Sequence, residues 1–140
     1  MDRQENMRRI KGENTQPEMR VRSLLRGLGY VGYRLHRKDL PGKPDIAFVG
    51  KKKAIQVHGC FWHGHDCQKG RRQPKSNVDY WVAKIERNRQ RDKLNLERLR
   101  NLGWQVLTIW TCELSLRDED DLRRRIVEFM ENKIPGSAKN

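Results

Sequence analysis

The segment His58-Gly59-Cys60-Phe61-Trp62-His63-Gly64-His65-Asp66-Cys67 gathers three imidazoles, two thiols, a carboxylate and two large aromatic side chains into consecutive positions. Cys60, His65 and Cys67 have the chemistry of zinc ligands. Cys112, the third cysteine of the chain, would complete a closed Cys3His site of structural type. His63 could stand in for His65 in that set. The bland alternative is three buried structural thiols, but the compact Cys-x4-His-x-Cys spacing favours a metal. His58 ends an apolar run and is either a satisfied core histidine or a group with chemistry of its own. Phe61 and Trp62, beside a rigid metal knuckle, must pack either into a core or onto a partner.

Lys and Arg total 31 against 18 Asp and Glu, a formal charge of +13, with a pI near 10.2. That excess favours a polyanionic partner, nucleic acid first. An acidic membrane surface is the other option, but no apolar run approaches spanning length and no lipid-anchor signal is present. The start, Met1 to Asn6, is polar and lacks the apolar stretch of a secretory signal, so a cytoplasmic location is expected. Three cysteines do not make a disulfide framework, and in a reducing compartment clustered Cys and His more often bind metal. A length of 140 residues suits one core.

The elements that must position these groups follow from spacing. Residues 1–14 are polar and basic, with Met7 and Ile10 as isolated apolar side chains, and read as an arm. Thr15 to Glu18 reads as an N-cap and capping box opening a helix through Val21, Leu24, Leu25 and Leu28, stopped by Gly29. Tyr30 to His36 suits a strand, and Leu40-Pro41-Gly42-Lys43-Pro44 a rigid turn before extended chain. Residues 45–49 and 54–58 flank Gly50-Lys51-Lys52-Lys53 as a β-hairpin. Beyond a basic loop with Arg71 and Arg72, residues 79–102 form a long helix capped by Gly103. Its apolar stripe of Trp81, Ile85, Leu96, Leu99 and Leu102 is interrupted by Asn88 and Asp92. Either these face DNA or an active site, or the middle turns overhang into solvent. Residues 104–110 make a buried strand, and Leu122, Ile126, Phe129 and Met130 mark a last amphipathic helix. The expectation is an arm (1–14), one domain (15–132) and a loose tail (133–140). The order helix, three strands, helix, strand, helix describes an α/β fold, a small mixed β-sheet flanked by helices.

Pro44-Asp45 at one hairpin strand, with Gln56-Val57-His58 on the next, resembles the PD-(D/E)xK nuclease core, the restriction-endonuclease-like fold. There a carboxylate at a strand start holds Mg²⁺ against a phosphodiester. Gln56 and His58 replace the usual acid and lysine. Joined in order, Asn6-Met7-Arg8, Thr15 to Glu18, Pro41 to Asp45, His58 to His63, Trp81 with Lys84, Asn88 and Asp92, Gly103 to Leu107, and Cys112 closely resemble the very short patch repair (Vsr) endonucleases. The resemblance runs from about residue 6 to 130.

That resemblance implies a nuclease that nicks one DNA strand 5′ to the thymine of a T·G mismatch left by deamination of 5-methylcytosine. Asp45 would be the carboxylate shared by Mg²⁺ ions, with the backbone carbonyl of Val57 as a further ligand, indifferent to the side chain there. His63 would be the general base, Glu18 would orient it, and His58 would stand at the scissile phosphate. Cys60, His65, Cys67 and Cys112 would hold structural Zn²⁺. Phe61, Trp62 and Trp81 would wedge into the base stack, and Met7 and Ile10 would approach from the minor groove. Lys84 and Asn88 are candidates for reading the sequence around the mismatch. The partner would be double-stranded DNA with a T·G mismatch, bound by a cytoplasmic, nucleoid-associated monomer, with mismatch-repair proteins as further partners. Two other readings fit the residues: a restriction-type nuclease cutting matched duplex, and a non-catalytic zinc DNA-binding module.

Overall fold

The computed structural model describes residues 15–67 and 76–132. Helix α1 (Gln16–Gly27) begins at Thr15, whose Oγ1 accepts the Glu18 N–H at 3.4 Å. The reciprocal half of the predicted capping box does not form, because the Glu18 side chain turns inward. Val21 and Leu25 are fully buried, and Gly29 ends the segment at φ +89°.

Strands β1 (Arg34–Leu35), β2 (Ile46–Phe48) and β3 (Lys53–His58) are antiparallel neighbours, and β4 (Gln105–Trp110) adds to β3 in parallel. Helix α2 (Val78–Asn101) makes the crossover between β3 and β4, and α3 (Glu119–Glu131) closes the described chain. The result is a four-stranded mixed sheet in the order β1-β2-β3-β4. The predicted strand at 30–36 shrinks to two residues because Gly32 and His36 both take positive φ, +83° and +50°, which extended chain does not allow.

Period-two alternation divides the core. Ile46 pairs with Ile55, and both are buried on the face that meets Val21, Leu25, Leu122 and Ile126 of α1 and α3. Ala47 pairs with Ala54 on the opposite face, under Leu99 and Trp104. Two alanines there let α2 approach closely. The expected apolar stripe of α2 is mostly not core: Leu99 is fully buried, but Leu102 is 53% exposed. Trp81 and Ile85, toward the other end of α2, lie outside both core clusters, and for them the reason is length. A helix of 24 residues runs about 36 Å, whereas the six residues of β3 span about 20 Å. The N-terminal half of α2 therefore overhangs the sheet and lies against the loop that leaves β3.

Candidate active site

Pro44, fully buried, delivers Asp45 to the start of β2, and β3 ends beside it at Val57 and His58. Asp45 Oδ2 accepts the Val57 N–H at 2.7 Å, so carboxylate and strand end are tied together. Burial pushes the Asp45 carboxyl up to about 6, and the Glu18 carboxylate adds to this, against the opposing pull of the Val57 amide. The loop after β3 folds back on itself, with His63 N–H donating to the Gly59 carbonyl at 3.2 Å. This stacks the His63 ring on His58, with centroids 3.9 Å apart and planes within 5°. Helix α2 supplies Asp92, just past its midpoint, whose Oδ2 is 2.5 Å from His63 Nδ1. Asp45, Val57, His58, His63, Arg91 and Asp92 line one open cleft of about 360 Å³, with Lys43 and Asn95 at its edge. His58 is pushed down to about 4 by burial and by its neighbours His63 and Arg91, so it is neutral at physiological pH.

The partner of His63 is Asp92 and not Glu18. Glu18, 2% exposed, forms an ion pair with Arg22 and meets His36 Nε2 at 2.7 Å, close to Asp45 and outside the cleft lining. A helix places its residue 18 against strand neighbours, and a loop residue 45 positions further on finds a carboxylate on the helix that overhangs it. Asp92 carried a visible signal, as one of the two polar interruptions of an apolar stripe. His36 carried none, since a histidine at a strand end is ordinary.

Cys60, His65, Cys67 and Cys112 bring one ligand atom each to within 4.8 Å of one another, and Cys112 Sγ is 3.6 Å from His65 Nδ1. A tetrahedral zinc with Zn–S bonds near 2.3 Å sets ligands about 3.8 Å apart, so this donor set fits the ion. His65, rather than His63, joins the thiols, held by its ring stacked on Trp110 at 4.2 Å. Burial and the adjacent Cys60 and Cys67 push the Cys112 thiol up to about 12. Crowded thiols are costly to ionise unless a cation compensates. At the cleft, the Asp45 carboxylate and the main-chain carbonyl of Val57 near the end of β3 are hard oxygen donors, suited to a Mg²⁺ that keeps most of its waters.

Phe61, Trp62 and Trp81 lie outside both core clusters and pack on one another, with Phe61–Trp62 centroids at 5.3 Å and Trp62–Trp81 at 5.2 Å. Lys84 Nζ lies over Trp62 at 5.7 Å, and Tyr80, 54% exposed, extends the group at 5.2 Å from Trp81. Tyr80 escaped the sequence reading because it follows the helix start on a solvent-facing position. Asn88 Nδ2 donates to the Trp62 carbonyl at 2.8 Å, which fixes the aromatic loop to α2. Its amide is thereby engaged with the protein itself. Met7, Ile10, Arg71 and Arg72 lie outside the described residues. Among those described, no helix is long and apolar enough to cross a membrane.

A sequence profile for the family described as DNA mismatch endonuclease Vsr matches residues 1–69. The type II nicking enzyme V.XorIIP of Xanthomonas oryzae pv. oryzae is 53% identical over 109 residues, covering 78% of this chain and 79% of its own. The DNA mismatch endonuclease Vsr of Escherichia coli is 37% identical over 131 residues, covering 91% of this chain and 83% of its own. The chain belongs to the Vsr family of endonucleases. The Vsr-family fold is also similar to a solved nuclease, the catalytic domain of the homing endonuclease I-Bth0305I. That match has a TM-score of 0.54 and 29% identity, covering 83% of this chain and 94% of that domain. In this Vsr-family chain one loop, residues 59–67, serves both the cleft, through His63, and the Cys/His cluster, through Cys60, His65 and Cys67; it is fastened to α2 by Asn88 and Asp92 and packs on Trp110 of β4.

Proposed function

We propose that this endonuclease nicks one strand of duplex DNA 5′ to the thymine of a T·G mismatch produced by deamination of 5-methylcytosine. The observation that carries the reading is the His63–Asp92 contact inside the cleft that also holds Asp45 and His58. With Asp92 holding the Nδ1–H of His63, Nε2 is left as the acceptor, the tautomer needed to take a proton from an attacking water. His58, neutral and stacked on the base, offers an N–H to the departing oxygen without placing a second positive charge beside His63. Arg91 and Lys43, both at the cleft, suit a phosphodiester. Asp45 and the Val57 carbonyl would hold Mg²⁺, which when bound offsets charge on the phosphate and makes water a better nucleophile. Cys60, His65, Cys67 and Cys112 would hold structural Zn²⁺, which pins the catalytic loop to the segment after β4.

Recognition is assigned to the half-exposed aromatic group. Phe61, Trp62 and Trp81, backed by Lys84, would enter the base stack beside the mismatch, with Met7 and Ile10 of the arm on the minor-groove side. Unstacking costs a few kcal/mol per step, and a mispaired step costs least, so damaged pairs are preferred. Asn88 serves this surface by holding Trp62, and Lys84 remains the basic group nearest the rings. The protein would act as a monomer in the cytoplasm, at the nucleoid, ahead of mismatch-repair proteins.

The deciding experiment is strand-specific cleavage of T·G, other mismatched and matched duplexes in varied sequence contexts, with and without Mg²⁺, for wild type and Asp45→Ala. Nicking of the T strand alone, lost without Mg²⁺ and in the variant, is expected. Cutting of both strands in matched DNA would replace the reading with a restriction-type nuclease, and Mg²⁺-independent binding with no cleavage in any context would replace it with a zinc DNA-binding module.

A further inference from the structure

Beside Asp45, and not among the residues lining the cleft, stands His36, which has no part in the chemistry above. It is attached to the site twice. Its Nε2 is 2.7 Å from Glu18 Oε2, and its backbone N–H donates to the Asp45 carbonyl at 3.2 Å. Its side chain is 10% exposed, and its backbone sits at φ +50°, in the left-handed region. One ligand atom each from Glu18, His36 and Asp45 falls within 4.8 Å of the others. A cation among them would meet the Arg22 guanidinium, already paired to the same Glu18 oxygen. The group is better described as a hydrogen-bonded brace closed by Arg22.

We propose that His36 is a positioning residue for Asp45. By donating Nε2–H to Glu18 it fixes a carboxylate whose charge faces Asp45, and by its main-chain N–H it fixes the backbone from which Asp45 projects. Together with the Val57 amide, this leaves Asp45 one orientation in which to meet a divalent cation. The inference rests on the assignment of Asp45 as the Mg²⁺ carboxylate. Outer partners of a metal-ligating carboxylate act on metal affinity more than on fold.

Two variants separate positioning from packing. His36→Asn tolerates the left-handed backbone but ends short of Glu18, whereas His36→Gln places an amide N–H near the position of Nε2. The readouts are Mn²⁺ affinity by water-proton relaxation, for protein mixed with a matched duplex, and the Mg²⁺ dependence of single-turnover nicking. Melting temperature is measured alongside. His36→Asn should weaken Mn²⁺ binding and raise the half-saturating Mg²⁺ concentration by about tenfold or more, with a smaller change in the plateau rate, while His36→Gln stays within about threefold of wild type. Unchanged metal affinity in His36→Asn, or equal loss in both variants, would overturn the inference. Wild-type Mn²⁺ affinity surviving in Asp45→Ala would instead sink the assignment of Asp45 itself. Metal affinity that depends on Asp45 and His36 without T·G nicking would leave His36 in place and remove only the proposed substrate.

Discussion

Replacing Asp45 by asparagine is expected to abolish nicking and, at the same time, to make the metal-free protein more stable. Burial and the nearby Glu18 carboxylate raise the Asp45 carboxyl from its ordinary 3.8 to about 6. The folded state therefore holds this proton more tightly than the unfolded chain does. Between those two values the folded protein binds more protons, so stability falls as pH rises through the window, and the full cost is present above about pH 6. At 1.36 kcal/mol per pH unit that cost is about 3 kcal/mol. Asparagine keeps an oxygen for the Val57 N–H and carries no charge, so it removes the cost and retains the bond. For a domain of this size, about 3 kcal/mol corresponds to a melting-temperature rise of roughly 10 °C.

The assay is thermal unfolding of wild type and Asp45→Asn at pH 7.5 and pH 4, in Mg²⁺-free buffer without a chelator so that the cysteine cluster is undisturbed. Other titrating groups cancel in the difference between the two proteins. A gain near 10 °C at pH 7.5 that shrinks to almost nothing at pH 4 is expected. Added Mg²⁺ should narrow the gap at pH 7.5 by stabilising wild type alone. A variant less stable than wild type at pH 7.5, or a gain that does not change with pH, would refute the view that Asp45 is a strained carboxylate waiting for a cation.

Three further outcomes follow from the geometry. Asp92→Asn lets an amide N–H face His63 Nδ1, which puts the proton on Nε2; single-turnover nicking should fall about 10²- to 10⁴-fold with duplex binding retained, and a loss below tenfold would remove Asp92 from catalysis. Cys112→Ser should lose stoichiometric zinc, measured by atomic emission, and melt more than about 10 °C lower; a zinc-free wild type with the same melting temperature would show that the cluster is only thiol packing. Lys53, 3% exposed, donates to the Phe129 and Met130 carbonyls at 2.6 and 2.7 Å and to that of Asn132, capping the end of α3; Lys53→Met should cost about 2–3 kcal/mol in urea unfolding with nicking unchanged at low temperature, and no loss of stability would mean water serves those carbonyls equally well.

Where the physics is local, the sequence was enough. The helix at 16–27 follows from Thr15 and the spacing of Val21, Leu24 and Leu25, and the hairpin follows from apolar runs on either side of a Gly-Lys turn. The strand expected at 30–36 failed because Gly32 and His36 take positive φ, and the contacts of His36 are with Glu18 and Asp45, whose proximity the local sequence does not encode. The α2 stripe misled in another way. Periodicity reports which side of a helix is apolar, and not how far the sheet beneath it extends, so Trp81 and Ile85, near the start of the stripe, meet the loop after β3 and lie outside both core clusters.

The site divides along the same line. Cys60, His65 and Cys67 are close in sequence and were legible as a set, and Cys112 joins them because β4 runs parallel to β3 and ends level with it, His58 opposite Trp110. The same register explains which histidine does what. Trp110 stacks on His65 and turns it toward the thiols, while His63, two residues earlier in the loop, is left facing His58 and α2. Loop order alone could not decide between them, since either imidazole can ligate zinc. The parallel pairing settles the geometry by bringing one indole to one side of the loop, and Asp92 claims the other imidazole from above. The placement of the two imidazoles in this loop is therefore set by β4 and α2, two elements that contain neither of them.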